Sequence, residues 1–108
     1  LVTGFAYDIR ENADNNLDHF THFALKAQGI RRTGTAALDL CYVACGRFDG
    51  FWELKLHPWD SAAGSVIVQE AGGRISDFSG HPYSIYGEAI LASNGLIHEQ
   101  MRAVLTGE

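Results

Sequence analysis

The run TAALDLCYVACG, from Thr35 to Gly46, limits the possible folds more than any other stretch of the chain. Its spacing predicts a helix that ends at Gly46. Ala36, Ala37, Leu38, Leu40, Cys41, Val43, Ala44 and Cys45 leave that helix apolar nearly all round. Such a helix is expected deep inside a protein or between two layers. The flanking sequence offers the layers. LVTGFAY, the stretch from Phe51 to Leu56, GRISDF and AILAS read as strands separated by polar or glycine-rich turns. Leu17, Phe20, Phe23, Ala24 and Ala27 recur at helical intervals, with Asn15 or Asn16 as the cap and Gly29 as the stop. Another helix is expected from Trp59 or Asp60 to Ala71, halted by Gly72-Gly73. A last one follows Asn94 or Gly95 and carries Leu96, Ile97, Met101, Val104 and Leu105. The order strand, helix, helix, strand, helix, strand, strand, helix predicts a single α/β domain: a layered sheet covered by helices on both faces.

With 108 residues, 46% of them hydrophobic, the chain can form one core. Folding at this length buries roughly 65% of the unfolded surface. The formal charge of −5 and scattered basic residues, with Arg31-Arg32 the only adjacent pair, argue against nucleic acid as a partner. No apolar run reaches the roughly 20 residues that span a bilayer, so the expected location is cytoplasmic. Cys41 and Cys45 lie four apart on one helix face, a spacing for buried thiols rather than for a disulfide or zinc. His19 and His22, at i and i+3, read as half-buried or solvated histidines before a metal pair. The one methionine is Met101, and Leu1-Val2 opens inside a strand-like run, so the chain reads as a piece of something longer.

Candidate chemistry falls where strands or loops hand over to helices. Such helix starts expose unpaired N–H groups and a positive dipole end, which receive anions and hydroxyls. Gly34-Thr35-Ala36 opens the apolar helix, and Gly34 lets a ligand approach the backbone. Asp60 opens the third helix, seven residues after Glu53. Each has a plain structural alternative: Asp60 as a helix cap, Glu53 as a solvated strand residue, Gly34-Thr35 as an ordinary turn. Trp59 beside Asp60 is expected to lower the dielectric around the carboxylate and strengthen its hold on a hard divalent cation such as Mg²⁺. Asp39, inside the apolar helix, requires a polar partner.

The segment GIRRTGTAALDLCYVACGRFDGFWELKLHPWDSAAGSVIVQEAGG resembles the C-terminal half of the inositol monophosphatase family, and the likeness extends over essentially the whole chain. WDSAAGSVIVQEAGG is its most specific part, similar to that family's C-terminal signature. The resemblance implies a Mg²⁺-dependent, lithium-sensitive phosphomonoesterase with a layered sugar-phosphatase fold, acting on an inositol phosphate or related sugar phosphate. By the same resemblance Asp60 is a metal ligand in the catalytic centre and also borders the substrate. Glu53 binds a substrate hydroxyl, and Gly34, Thr35 and Ala36 line the pocket with their amides. The resemblance further implies a homodimer, and some relatives associate with transcription machinery.

The sequence also departs from the family. Its other carboxylates belong to an N-terminal half with an Asp-Pro-x-Asp-Gly-Thr motif. Here Phe48-Asp49-Gly50 is the nearest fragment, and it lacks the leading Asp-Pro. The chain is therefore expected to carry the substrate-side wall and one metal ligand, and to need the N-terminal half, in cis or in trans, for catalysis. The competing reading is a non-catalytic remnant that binds a sugar phosphate or a protein partner.

Overall fold

A computed structural model, in which residues 1–107 are described, contains every expected element in the expected order. These are β1 (Val2–Thr3), α1 (Leu17–Ala24), α2 (Ala36–Ala44), β2 (Gly50–Leu54), α3 (Pro58–Glu70), β3 (Arg74–Ser76), β4 (Ala89–Ser93) and α4 (His98–Thr106). The strands form one sheet in the order β1-β2-β4-β3. β1 and β2 run parallel, while β2–β4 and β3–β4 are antiparallel. No helix among the described residues is long and apolar enough to cross a membrane.

The alternation of side chains along the strands sorts the core into two layers. Val2, Phe51, Ile90 and Ala92 point to the side packed by Leu40 and Val43 of α2 and Val68 of α3. Trp52 and Leu91 point the other way, onto Phe23 of α1 and Met101 and Leu105 of α4. The sheet thus has a helix pair on each face, as its sequence pattern required.

Three expectations are corrected in detail. First, α2 is not enclosed all round. It buries Asp39, Leu40 and Val43 against the sheet and α3, but Leu38 is 48% exposed, Cys45 is exposed and Cys41 is half-buried. Apolar composition carried no face preference, and the sheet could claim only one. Second, α1 stops at Ala24, with Leu25 as its C-cap, ahead of Gly29. Third, Asn16 holds the N-cap position in a left-handed conformation, φ 73°, without capping with its side chain. Its amide instead joins strands: Nδ2 donates to Thr3 Oγ1 at 3.0 Å and Gly4 O at 2.9 Å, while Oδ1 accepts from Trp52 Nε1 at 2.6 Å. The Leu17 N–H is served by Asn15 Oδ1 at 3.1 Å.

One buried polar relay fixes α4 on the sheet. Ser76 Oγ donates to Asp77 O at 2.7 Å, so it accepts from His98 Nε2–H at 2.8 Å. His98 Nδ1 is then the acceptor for Ser93 Oγ–H at 2.8 Å, and that oxygen accepts the Gly95 N–H at 3.0 Å. Every proton has one direction, and the relay requires a neutral imidazole. His98 is 1% exposed, and burial, followed by the charge of Arg74, pulls its pKa down to about 4.

Candidate functional site

The site lies at the carboxyl ends of the parallel strands. Arg31 runs alongside Val2 in a parallel bridge, so the segment ending at Arg31, β1 and β2 all finish at one edge of the sheet. Two of these segments hand over to helix starts at that edge: Gly34-Thr35 leads into α2, and Leu56-His57 leads into α3. Crevices outside strand carboxyl ends, faced by helix N-termini, receive ligands in α/β proteins. The topology therefore brings the Gly34-Thr35-Ala36 turn to the same edge as Glu53 and Asp60, and the charge of Asp60 acts on Glu53.

Glu53 is the least expected member of this group. In parallel register β1 places Gly4 beside it, and a Cβ at Gly4 would fall 2.5 Å from Glu53 Oε1. Only glycine leaves room for the carboxylate there. Glu53 is 8% exposed, so it is no solvated strand residue, yet no group among the described residues donates a hydrogen bond to it. Burial pushes its pKa up to about 7, the charges of Asp39 and Asp60 add to the rise, and Arg32 opposes them. Arg32 itself lies over the Phe5 ring, 5.3 Å from the centroid. The residue is largely buried while its carboxylate oxygens are not sealed from solvent, so a ligand's polar group can reach them.

Gly34 has φ 91°, a left-handed conformation that a side chain would resist, so its glycine is set by the turn. Thr35 occupies the N-cap of α2 in extended conformation, and no side chain caps that helix. The sequence required a polar partner for Asp39, which is 1% exposed, and that partner is Thr33, whose hydroxyl donates to Asp39 Oδ1. Burial raises the Asp39 pKa and the Thr33 bond lowers it. Asp39 thereby fixes the turn that carries Gly34, a role with no local sequence signal.

Asp60 does cap its helix. Oδ2 accepts the His57 N–H at 2.9 Å, and the Asp60 N–H donates to His57 O at 2.9 Å. Its other oxygen, Oδ1, is not engaged by any hydrogen bond among the described residues. The cap thus orients the carboxylate and leaves one oxygen to spare. Trp59 does not shield it: the indole is 76% exposed and stacks on the His57 ring at 4.5 Å, with 7° between the planes. The expected drying of Asp60 by its neighbour is absent.

Among the described residues, no three or more His, Cys, Asp or Glu side chains are grouped to hold a metal ion. His19 meets the edge of Phe78 at 5.4 Å, and burial lowers its pKa. The donor set at the crevice suits a contribution to a hard cation, one carboxylate oxygen from Asp60, and cannot complete a coordination shell alone. A groove between α1 and α4, lined by Phe23, Leu25, Ile97, Met101 and Val104, includes none of Gly34, Thr35, Ala36, Glu53 and Asp60.

The fold is that of a layered α/β module of the sugar-phosphatase type. The chain belongs to the inositol monophosphatase family, whose pattern it matches over residues 1–107. It is 50% identical over 105 residues to the inositol-1-monophosphatase of Synechocystis sp., covering 97% of this chain and 37% of that protein. It is 44% identical over 109 residues to Nus factor SuhB of Escherichia coli K12, covering 100% of this chain and 40% of the other. The solved inositol monophosphatase from Anabaena (Nostoc) sp. PCC 7120 superposes with a TM-score of 0.95 at 49% identity, over 98% of this chain and 42% of that one. The chain thus spans about 40% of the length of the relatives it matches.

Proposed function

We propose that these 108 residues form a single domain, the C-terminal, substrate-side part of a phosphomonoesterase of the inositol monophosphatase type. The substrate is an inositol phosphate or a related sugar phosphate. The supporting observation is Glu53: a largely buried residue whose carboxyl has no hydrogen-bond partner among the described residues, poised near neutrality between two helix starts. Such a group accepts a hydroxyl proton when ionised and donates one when protonated, which suits a polyol. The amides around Gly34, Thr35 and Ala36 receive the anionic or hydroxyl groups beside it. Asp60 offers its unengaged Oδ1 as one ligand for Mg²⁺. When bound, that ion supplies Lewis-acid stabilisation of phosphoryl and leaving oxygens. The remaining ligands come from the N-terminal half on the same or another polypeptide. Lithium sensitivity, a homodimer and a cytoplasmic location belong to the same reading.

The second reading, a module that binds a sugar phosphate or a protein without catalysis, draws support from the lack of a metal-holding cluster among the described residues. One experiment separates the two. The complete polypeptide that contains this chain should release phosphate from inositol 1-phosphate only with Mg²⁺, and the pure 108-residue chain should release little or none. Robust hydrolysis by the 108 residues alone contradicts the proposed division of labour. No hydrolysis by the complete polypeptide, with binding retained, favours the second reading.

A further inference from the structure

Lys55 sits one residue beyond β2 with φ 61°, a left-handed conformation. Among the described non-glycine residues only Asn16 shares a positive φ, and asparagine tolerates it where lysine does not. Glycine would fit this turn without strain, so the lysine side chain must offset a backbone penalty. The conformation is pinned from the other side: the Lys55 N–H donates to Glu88 O at 2.7 Å, one step past the Leu54–Ala89 pair. The turn sets the path between Glu53 and the start of α3.

The ammonium reaches back across the sheet edge to the loop after β1. Nζ donates to Asp14 O at 2.7 Å and lies 3.5 Å from Asp8 Oδ2. Asp8 is the hub of that loop. Its carbonyl accepts the N–H groups of Glu11 at 2.9 Å and Asn12 at 3.0 Å, and its Oδ2 accepts Asn12 Nδ2 at 3.3 Å. Asp8 Oδ1 is buried without a hydrogen-bond partner among the described residues, and the Lys55 ammonium forms the ion pair with this carboxylate through Oδ2. The loop starts at Gly4, against which Glu53 rests, and at Phe5, which carries Arg32 on its ring.

We propose that Lys55 is a positioning residue: its strained backbone and its ammonium together fasten the 8–14 loop to the end of β2, as a wall of the crevice beside Glu53. The inference deepens the reading of this edge as a substrate site and rests on it. Lys55 touches neither substrate nor metal; it acts through the loop.

Three substitutions in the complete polypeptide test it. Lys55→Gly removes the tether and relieves the backbone; Lys55→Met removes the tether and keeps the strain; Lys55→Arg keeps a cation. Amide hydrogen exchange at Glu11 and Asn12 should quicken by about tenfold or more in the glycine and methionine variants and stay near native with arginine. The methionine variant should have the lower denaturation midpoint of the two. With inositol 1-phosphate, both tether-less variants should raise KM by about three- to tenfold with kcat within about twofold, and arginine should restore it. Unchanged exchange at the loop overturns the tether. Quickened exchange with unchanged KM overturns the positioning role. An unsubstituted polypeptide with no phosphatase activity defeats the underlying functional reading, and exchange together with calorimetric binding of inositol 1-phosphate then decides the role of Lys55.

Discussion

Under the function proposed above, Asp60 would unite two readings that the sequence left as alternatives. One carboxylate oxygen is spent on the His57 N–H, and the other is free of hydrogen bonds among the described residues. In that proposal the cap serves the site by choosing the rotamer from which Oδ1 is presented. Asp60→Asn keeps an oxygen for the cap and loses the charge that favours both the helix start and a cation. The expected outcome in the complete polypeptide is a loss of activity of at least about a hundredfold, with only about 0.3–1 kcal/mol of stability lost through the helix dipole. Mg²⁺-dependent turnover and chemical denaturation measured on the same preparation check both halves. Large destabilisation with Mg²⁺ affinity intact would reduce Asp60 to its cap. Glu53 is the opposite kind of residue, since it serves no structural purpose that the chain reveals. Its neighbour Gly4 makes room for it, and the room holds a carboxyl that no described group pairs.

At the scale of elements, α2 shows where sequence patterns succeed and where they stop. Its existence and ends were legible because an apolar run lies between Gly34-Thr35 and Gly46. Its burial was not, because an apolar surface does not say which of its sides the sheet will take. Strand order was equally hidden: β2 passes over β3, the next strand in the chain, and pairs with β4. Parallel pairing of β1 with β2 then draws Gly34, Glu53 and Asp60 to one edge. No local pattern encodes that meeting, so those residues could be grouped beforehand only through the family resemblance. Asp39 and Lys55 had no such guide. The Thr33–Asp39 bond is the device that joins the α2 helix to its preceding turn. Thr33→Val leaves a buried carboxylate without its donor and should cost about 1–3 kcal/mol in chemical denaturation. Asp39→Asn keeps an acceptor, sheds a charge that burial disfavours, and should cost less than about 1 kcal/mol. The reverse ranking would show that the charge itself, and not the bond, holds the turn.

For the molecule as a whole, the two groups with the largest shifts oppose each other across pH. Glu53 binds its proton more tightly folded, with a pKa of about 7 against an ordinary 4.5. Its folded state is favoured below pH 4.5, and that advantage is lost as pH rises towards 7. His98 binds its proton less tightly folded, about 4 against 6.5. Its contribution is complete above pH 6.5 and is lost as pH falls towards 4, when protonation of Nδ1 would break the relay from Ser93. Between pH 4.5 and 6.5 the folded state therefore holds one proton more at Glu53 and one fewer at His98, and their slopes cancel. Each slope alone approaches a limit of about 1.4 kcal/mol per pH unit. Denaturation curves collected from pH 4.5 to 6.5 should uncover them one at a time. Relative to the unsubstituted chain, Glu53→Gln should make stability climb with pH, because only His98 still titrates. His98→Asn should make it fall with pH, from a lower starting level set by the damaged relay. The double variant should recover the unsubstituted slope. Parallel pH profiles for all four proteins would mean that neither group is held in the state its burial dictates.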